Sequence, residues 1–304
     1  FEGCELAEGK MNFKRTFFGD GSVIFELAEM AGADVSFERA SFGTGTISFY
    51  NGKFGTLSLN SCHLDHYTDM RVQKCNQIDL SNTIVRDIID VKPFEFEEDI
   101  SEINFAGMRL LGRIYIDWKN NRVHDLIYNQ KDSSIRSKSE QFRILKENFS
   151  VCGQYNDEDK AYLHFKRLES TADLAEETRQ KPLAALWLYP VYGFKWLIFD
   201  RAGHYATNPF RVILTMLLAY TFFSFLFVLL SLNGAGSINE SVPHPDIISV
   251  VGKSFYHSAI TFLTIGYGDY FPSGGLRWIS GIEGFTGVFL MSYFTVAFVR
   301  KILR

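Results

Sequence analysis

The chain has 304 residues, 22 % of them charged, and a formal net charge of −4. That length admits two or three domains, and so balanced a charge excludes a global electrostatic footprint for nucleic acid. The average hides an asymmetry, because residues 1–180 carry most of the charge and the C-terminal third is mostly apolar and aromatic. All four cysteines (Cys4, Cys62, Cys75, Cys152) lie in the charged part without a CxxC pair, so reduced thiols in a cytosolic domain are expected. The chain opens at Phe1 rather than Met, so upstream residues are expected to be missing; Phe1 to Gly9 lacks the basic-then-apolar order of a secretory signal.

Residues 1–118 hold many short β-type runs and glycines. A five-residue spacing joins Phe42 and Ile47, then Phe54, Leu59 and Leu64, then Ile100, Phe105 and Leu110. The residue two before an apolar centre is often small: Ala33 before Val35, Ala40 before Phe42, Gly45 before Ile47, Gly52 before Phe54, Cys62 before Leu64. Steps of seven from Val35 to Phe42 and from Ile47 to Phe54 break the period. Leu57, Glu98, Ile103 and Met108 depart from the small-residue position, and Tyr67 to Glu97 has no clean phase. "ADVSF" at Ala33 to Phe37 resembles the consensus of pentapeptide-repeat proteins. The resemblance implies a right-handed β-helix with four short sides per coil, one pentapeptide per side. An ordinary β-rich domain with coincidental spacing is the competing reading.

Cys62, His63, Asp65, His66, Asp69 and Cys75 crowd together, but their spacing matches no standard zinc pattern. In the repeat phase Cys62 faces the core while its neighbours point outward. The acidic run Glu95 to Asp99 lacks the alternating oxygen ligands and glycine of a calcium loop, so a solvated loop is expected there.

Residues 119–182 form a helical connector. Ser139 to Gly153 and Asp157 to Glu177 read as two helices joined at Gln154-Tyr155-Asn156, with stripes at Phe142, Leu145 and Phe149, then Tyr162, Phe165 and Leu168. The hairpin resembles one tetratricopeptide-like unit, which cannot bury both faces alone and should pack on the β-helix, the membrane segment or another subunit. Leu183 to Phe199 is apolar and aromatic, broken by Pro190 and Gly193. Its Trp and Tyr content suits a membrane interface, with a buried soluble helix as the alternative.

Val212 to Leu232 runs 21 residues without a charge. A helix of that length spans roughly 30 Å, the thickness of the bilayer hydrocarbon. Ile279 to Val299 is a second such run, with one charge at Glu283. Arg201 and Arg211 precede the first span, and Arg300, Lys301 and Arg304 follow the second. Between them lie only Lys253 and Arg277. The positive-inside rule then places the N-terminal domain and the C-terminus in the cytoplasm of a multi-pass cell-membrane protein. Asn233 to Val251 is rich in Gly, Ser, Pro and Asn and reads as an exposed loop. Gly252 to Leu263 suits a helix too short to cross a bilayer. After it comes "TIGYGD", Thr264 to Asp269. Non-helical backbone at membrane depth is tolerated where it lines a water-filled path or is buried in protein. A phosphate cradle would need these glycines at a helix N-terminus, whereas they follow a helix.

Thr264-Ile265-Gly266-Tyr267-Gly268-Asp269, set between a short helix and two spans, resembles the signature of two-transmembrane tetrameric potassium channels. The resemblance covers residues 208–304. It implies that Thr264, Ile265, Gly266 and Tyr267 offer carbonyls to K+ in place of its hydration shell, with the Thr264 hydroxyl as the innermost ligand. Gly268 and Asp269 would support the filter, Gly266 and Gly268 by adopting left-handed angles, and Tyr267 would brace it. The pore-helix C-termini would turn negative dipole ends toward a central cavity. Gly287 matches the family's inner-helix hinge, although Gly281, Gly284 and Gly287 equally suit close helix packing. Val288, Met291 and Thr295 would line the cavity. The family often has a carboxylate in the pore helix where Ile260 stands here. Glu283 either replaces it from the second span or pairs with Arg277 near the outer interface. The layout of repeats, helical hairpin and two-span pore resembles prokaryotic pentapeptide-repeat ion channels.

The expected architecture is therefore a multidomain membrane protein: a β-helix (1–118), a helical connector (119–182) and an all-α pore module (183–304). The last divides into an interfacial segment (183–199), first span (210–232), pore helix (252–263), filter (264–269) and second span (277–300). The expected function is passive, potassium-selective conduction through a homotetramer in the lipid bilayer, gated or organised by the repeat domain. A weakly selective cation channel and a membrane-anchored repeat scaffold are the alternatives. No enzyme chemistry, no cofactor, no metal beyond K+ and no nucleic-acid partner are expected. An unidentified cytoplasmic ligand or protein is left open, and no Arg-repeat voltage sensor precedes the pore.

Overall fold

The computed structural model describes residues 1–92, 95–241 and 249–303. Residues 242–248 of the expected outer loop, and Arg304 of the basic C-terminus, lie outside the described residues. The chain divides into two compact units, Phe1–Ala185 and Leu186–Arg304.

The first unit is built on a β-solenoid. Strands Gly9–Asn12, Glu29–Ser36, Lys53–Ser58, Lys74–Asp79 and Asp99–Asn104 make one parallel sheet. Val23–Ile24, Ile47–Ser48, Thr68–Asp69, Ile88–Asp90 and Arg113–Tyr115 make a second, and His63–Leu64, Ile84–Val85 and Arg109–Leu110 a third. Glu29 pairs with Lys53, Lys53 with Lys74 and Lys74 with Asp99, so successive coils take 24, 21 and 25 residues. The paired strands make three sheets, the first of them formed by two paired stretches in each coil, and the uneven coil lengths account for the steps of seven. One corner of every coil is left-handed, at Arg15, Arg39, Ser61, Asn82 and Gly107. The first four each donate their N–H to the next coil at 2.8–2.9 Å, which offsets the conformational cost.

The solenoid continues through residues 67–92, where the sequence shows no phase. Polar side chains occupy inward places there: Thr68 and Thr83 are fully buried, their hydroxyls donating to the carbonyls of His66 (3.2 Å) and Leu80 (2.7 Å). Phe37, Phe49 and Phe54 meet inside at centroid distances of 5.6 and 5.8 Å. Cys62 and Cys75 face the same core, and burial pushes their thiols up to about 11 and about 12. That opposes the thiolate a metal needs. His63 is exposed on the outer surface, and Asp69 is held by Arg71 at 2.5 Å.

Three helices close the solenoid: α1 (Val123–Tyr128), α2 (Ile135–Val151) and α3 (Tyr155–Gln180). The hairpin helices start earlier than the apolar stripes indicate, because Ser134 caps α2 by accepting from the Ser137 N–H at 3.1 Å. Gly153, at φ 71°, ends α2 so abruptly that Tyr155 is already helical. Helix α2 covers the last coil. Asn148 Oδ1 accepts from the Ile114 N–H and Asn148 Nδ2 donates to the Ile114 carbonyl, both at 2.8 Å. Gln141 Oε1 accepts from the Phe105 N–H at 2.9 Å. These amides stand where the next strand would be and satisfy an edge that would otherwise be open. The acidic run 95–99 is more than a solvated loop: Glu98 is partly buried, accepts from Asn121 Nδ2 at 2.5 Å, and Asp99 begins a strand.

The second unit opens with α4 (Ala185–Lys195), a π-helical turn (Trp196–Arg201) and α5 (Pro209–Leu232). Pro190 lies inside α4 rather than ending it; a missing N–H removes one bond from a helix whose apolar face persists on both sides. Asn208 caps α5, accepting from the Arg211 N–H at 3.1 Å. Helix α6 (Val250–Phe262) and helix α7 (Leu276–Ile302) follow. Helices α5 and α7, of 24 and 27 residues with mean hydropathy 2.4 and 1.6, are long and apolar enough to cross a membrane; α6, of 13 residues, is not. Strands Ile238–Glu240 and Tyr270–Pro272 pair antiparallel, an element that the loop composition does not reveal.

Candidate functional site

The segment Thr264–Asp269 hangs from the C-terminus of α6. Its backbone alternates in hand: Thr264, Gly266 and Gly268 have φ of 57°, 59° and 77°, whereas Ile265 and Tyr267 are not among the positive-φ residues. For glycine such angles are cheap; for the β-branched Thr264 they are a genuine outlier. Alternation turns peptide planes so that N–H groups gather on one face and carbonyls on the other. The N–H groups of Ile265 and Gly266 donate to the Ile260 carbonyl (2.8 and 3.3 Å) and that of Thr264 to the Thr261 carbonyl (3.0 Å). The carbonyls of Ile260 and Thr261 at the end of α6 are thereby satisfied. Among the described residues nothing donates to the carbonyls of Thr264, Ile265, Gly266 or Tyr267. The Thr264 hydroxyl donates to the Leu263 carbonyl at 2.7 Å, which leaves its oxygen free to accept.

Two polar links hold this segment from behind. Asp269 Oδ2 accepts from the Tyr256 hydroxyl of α6 at 2.8 Å, and the Asp269 carbonyl accepts from the Ser241 N–H at 2.9 Å. Glu283 is fully buried, and Glu283 Oε1 accepts from the Ser258 hydroxyl of α6. The alternative partner of Glu283, Arg277, instead donates to the Pro272 carbonyl at 3.3 Å. His257 Nε2 lies 3.0 Å from Ser280 Oγ, a further tie between α6 and α7. Ile260 is buried and apolar, so the brace runs through its neighbours on the helix.

Gly287 lies in the unbroken α7, and a Cβ there would stand 2.0 Å from the Phe262 carbonyl. Close approach of α7 to the end of α6 requires a glycine at that one place; Gly281 has nothing within 4 Å. Val288 and Thr295 are exposed and Met291 partly buried along the same helix. The residues that sequence reasoning missed are Tyr256, His257 and Ser258. A polar stripe at Ser254, His257, Ser258 and Thr261 on a largely apolar helix is the signal that could have found His257 and Ser258; nothing in the sequence singles out Tyr256.

Residues 212–304 match the family model described as "Ion channel". The C-terminal part of the chain is a two-helix ion-channel domain. Protein LctB of Bacillus caldotenax is 37 % identical over 76 residues, which cover 24 % of this chain and 54 % of that protein. The chain thus spans about half the length of the curated relative it matches. No solved structure matches the chain. The matched region begins within α5, so the solenoid and its helical cap lie outside it.

Proposed function

We propose that the chain is one subunit of a homotetrameric, potassium-selective channel in the cell membrane, with the solenoid and both termini in the cytoplasm. Four copies of Thr264–Tyr267 would surround the axis, and their carbonyls, with the Thr264 hydroxyls, would replace the hydration shell of K+. Asp269, Glu283 and Gly268 support that filter; Val288, Met291 and Thr295 line the cavity beneath it, and Gly287 sets how closely the inner helix approaches. The solenoid gates or organises the pore. One observation carries this reading: the backbone of alternating hand whose first three N–H groups turn onto α6 while four successive carbonyls accept from no described group.

Purified full chain in liposomes should pass K+ and largely exclude Na+. Equal Na+ flux would replace the reading by a weakly selective cation channel. A Cβ at Gly266 meets nothing within 4 Å, so Gly266→Ala tests backbone conformation rather than packing. It should abolish flux and leave assembly intact; unchanged flux would remove the filter assignment. An assembled wild type that conducts no ion would favour the membrane-anchored scaffold.

A further inference from the structure

Far from the filter, three consecutive non-glycine residues are left-handed: His204 (φ 49°), Tyr205 (φ 54°) and Ala206 (φ 61°). A helix end needs one such residue, commonly a glycine. Three in a row persist only where surroundings over-determine them, as at switch regions. They follow the π-helical turn Trp196–Arg201, itself an uncommon feature that clusters at functional places.

A tyrosine on α7 holds this turn together. The Tyr293 hydroxyl donates to the Phe199 carbonyl at 3.0 Å and accepts from the Ala206 N–H at 2.9 Å. Those partners lie 94 and 87 positions earlier in the chain, Phe199 before the left-handed run and Ala206 at its end. The ring fills the space left by Gly203, where a Cβ would stand 2.7 Å from Tyr293 Cε1 and 2.6 Å from Val212 Cγ2. Thr215 Oγ1 donates to the Ala202 carbonyl at 3.0 Å and Arg211 Nε to the Arg201 carbonyl at 2.9 Å. The turn is thus tied to α5 by these bonds and to α7 through the Tyr293 hydroxyl. A phenylalanine would fill the same volume, so the hydroxyl provides a link that packing alone does not require.

We propose that Tyr293 is a gating latch, a positioning residue whose hydroxyl locks α7 to the strained turn before α5. The proposal rests on the channel reading above. On that reading Tyr293 lies in the cytoplasmic half of the second span, short of Arg300 and Lys301. That half cannot rotate or tilt against the first span without breaking a bond to the hydroxyl. The latch therefore sets the balance between the conformation described here and one in which the end of α7 has moved.

Single-channel recording of the full chain in planar bilayers tests it. Tyr293→Phe should shift the open probability about tenfold, the effect of losing two ordinary hydrogen bonds. Conductance and K+/Na+ selectivity should stay unchanged, because the filter is untouched. Ala206→Gly keeps the N–H and relieves the left-handed strain, so it should shift the open probability the opposite way. Unchanged open probability in Tyr293→Phe, altered selectivity, or a same-sign shift in Ala206→Gly overturns the latch. Hydrogen exchange over residues 199–207 gives a readout independent of conduction, expected to be about tenfold faster in Tyr293→Phe. Equal exchange in a conducting protein overturns the latch alone. A wild type that conducts nothing overturns the channel reading, and the gating role with it.

Discussion

Glu98 illustrates how one side chain can make stability depend on pH. Its Oε1 accepts from Asn121 and its Oε2 has no partner among the described residues. Burial pushes the carboxyl from 4.5 up to about 7, against the opposing pull of Asn121 and Arg122. Between those values the folded chain holds a proton that the unfolded chain has released, so stability is greatest below the lower value and falls as pH rises through the upper one. Glu98→Gln keeps an acceptor for Asn121 and removes the titration. At pH 8 the variant should exceed the wild type by about 1–3 kcal/mol, and the two should converge near pH 4. Denaturant unfolding at several pH values measures the difference; a gap that widens toward acid would refute the assignment. Residue by residue, legibility varied with the kind of constraint. Gly266 and Gly268 announce left-handed backbone by their identity, whereas Thr264 adopts it against its own preference, and no property of a threonine could foretell that.

Among the elements, the solenoid was legible wherever an apolar residue recurred every five positions, and illegible where Thr68 and Thr83 took inward places. Its closure was legible only as a hairpin that should pack on the β-helix, the membrane segment or another subunit, not in the bonds that make it. Asn148 and Gln141 read as polar residues on an amphipathic helix, but their partners are backbone groups 34 and 36 residues away. Only the fold brings them together. The same limit hid Tyr256 and Ser258, whose partners Asp269 and Glu283 lie 13 and 25 residues on. The cap yields a prediction at this scale. Asn148→Leu preserves volume but strands both the N–H and the carbonyl of Ile114 in a buried setting. It should cost about 2–4 kcal/mol, since each unmet group costs roughly 1–3 kcal/mol. Asn148→Asp, which keeps the acceptor and loses the donor, should cost less than Asn148→Leu. Denaturant unfolding of the full chain followed by hydrogen exchange at Ile114 checks the order, and equal loss in both variants would show that the amide does not act as a strand mimic.

As a whole molecule, the chain answers its two edge problems differently. The first unit closes the edge of its last coil with α2 and needs no second copy to satisfy that edge. The second unit leaves the carbonyls of Thr264, Ile265, Gly266 and Tyr267 without described donors and exposes Tyr267 at 72 % and Phe285 at 77 %. Lipid can cover an apolar ring, but it cannot satisfy backbone carbonyls at membrane depth. A row of carbonyls from one chain also surrounds nothing; closed rotational symmetry turns the row into a cage. On the proposed channel reading, assembly should be carried by the second unit and reach four copies. Light scattering in mild detergent should give a protein mass four times 34.8 kDa. Asn148→Leu should leave that mass unchanged, because the edge it uncovers is not the one that assembles. A dimer or monomer as the largest stable species would remove the axial cage, and with it the proposed role of Thr264–Tyr267 as a filter.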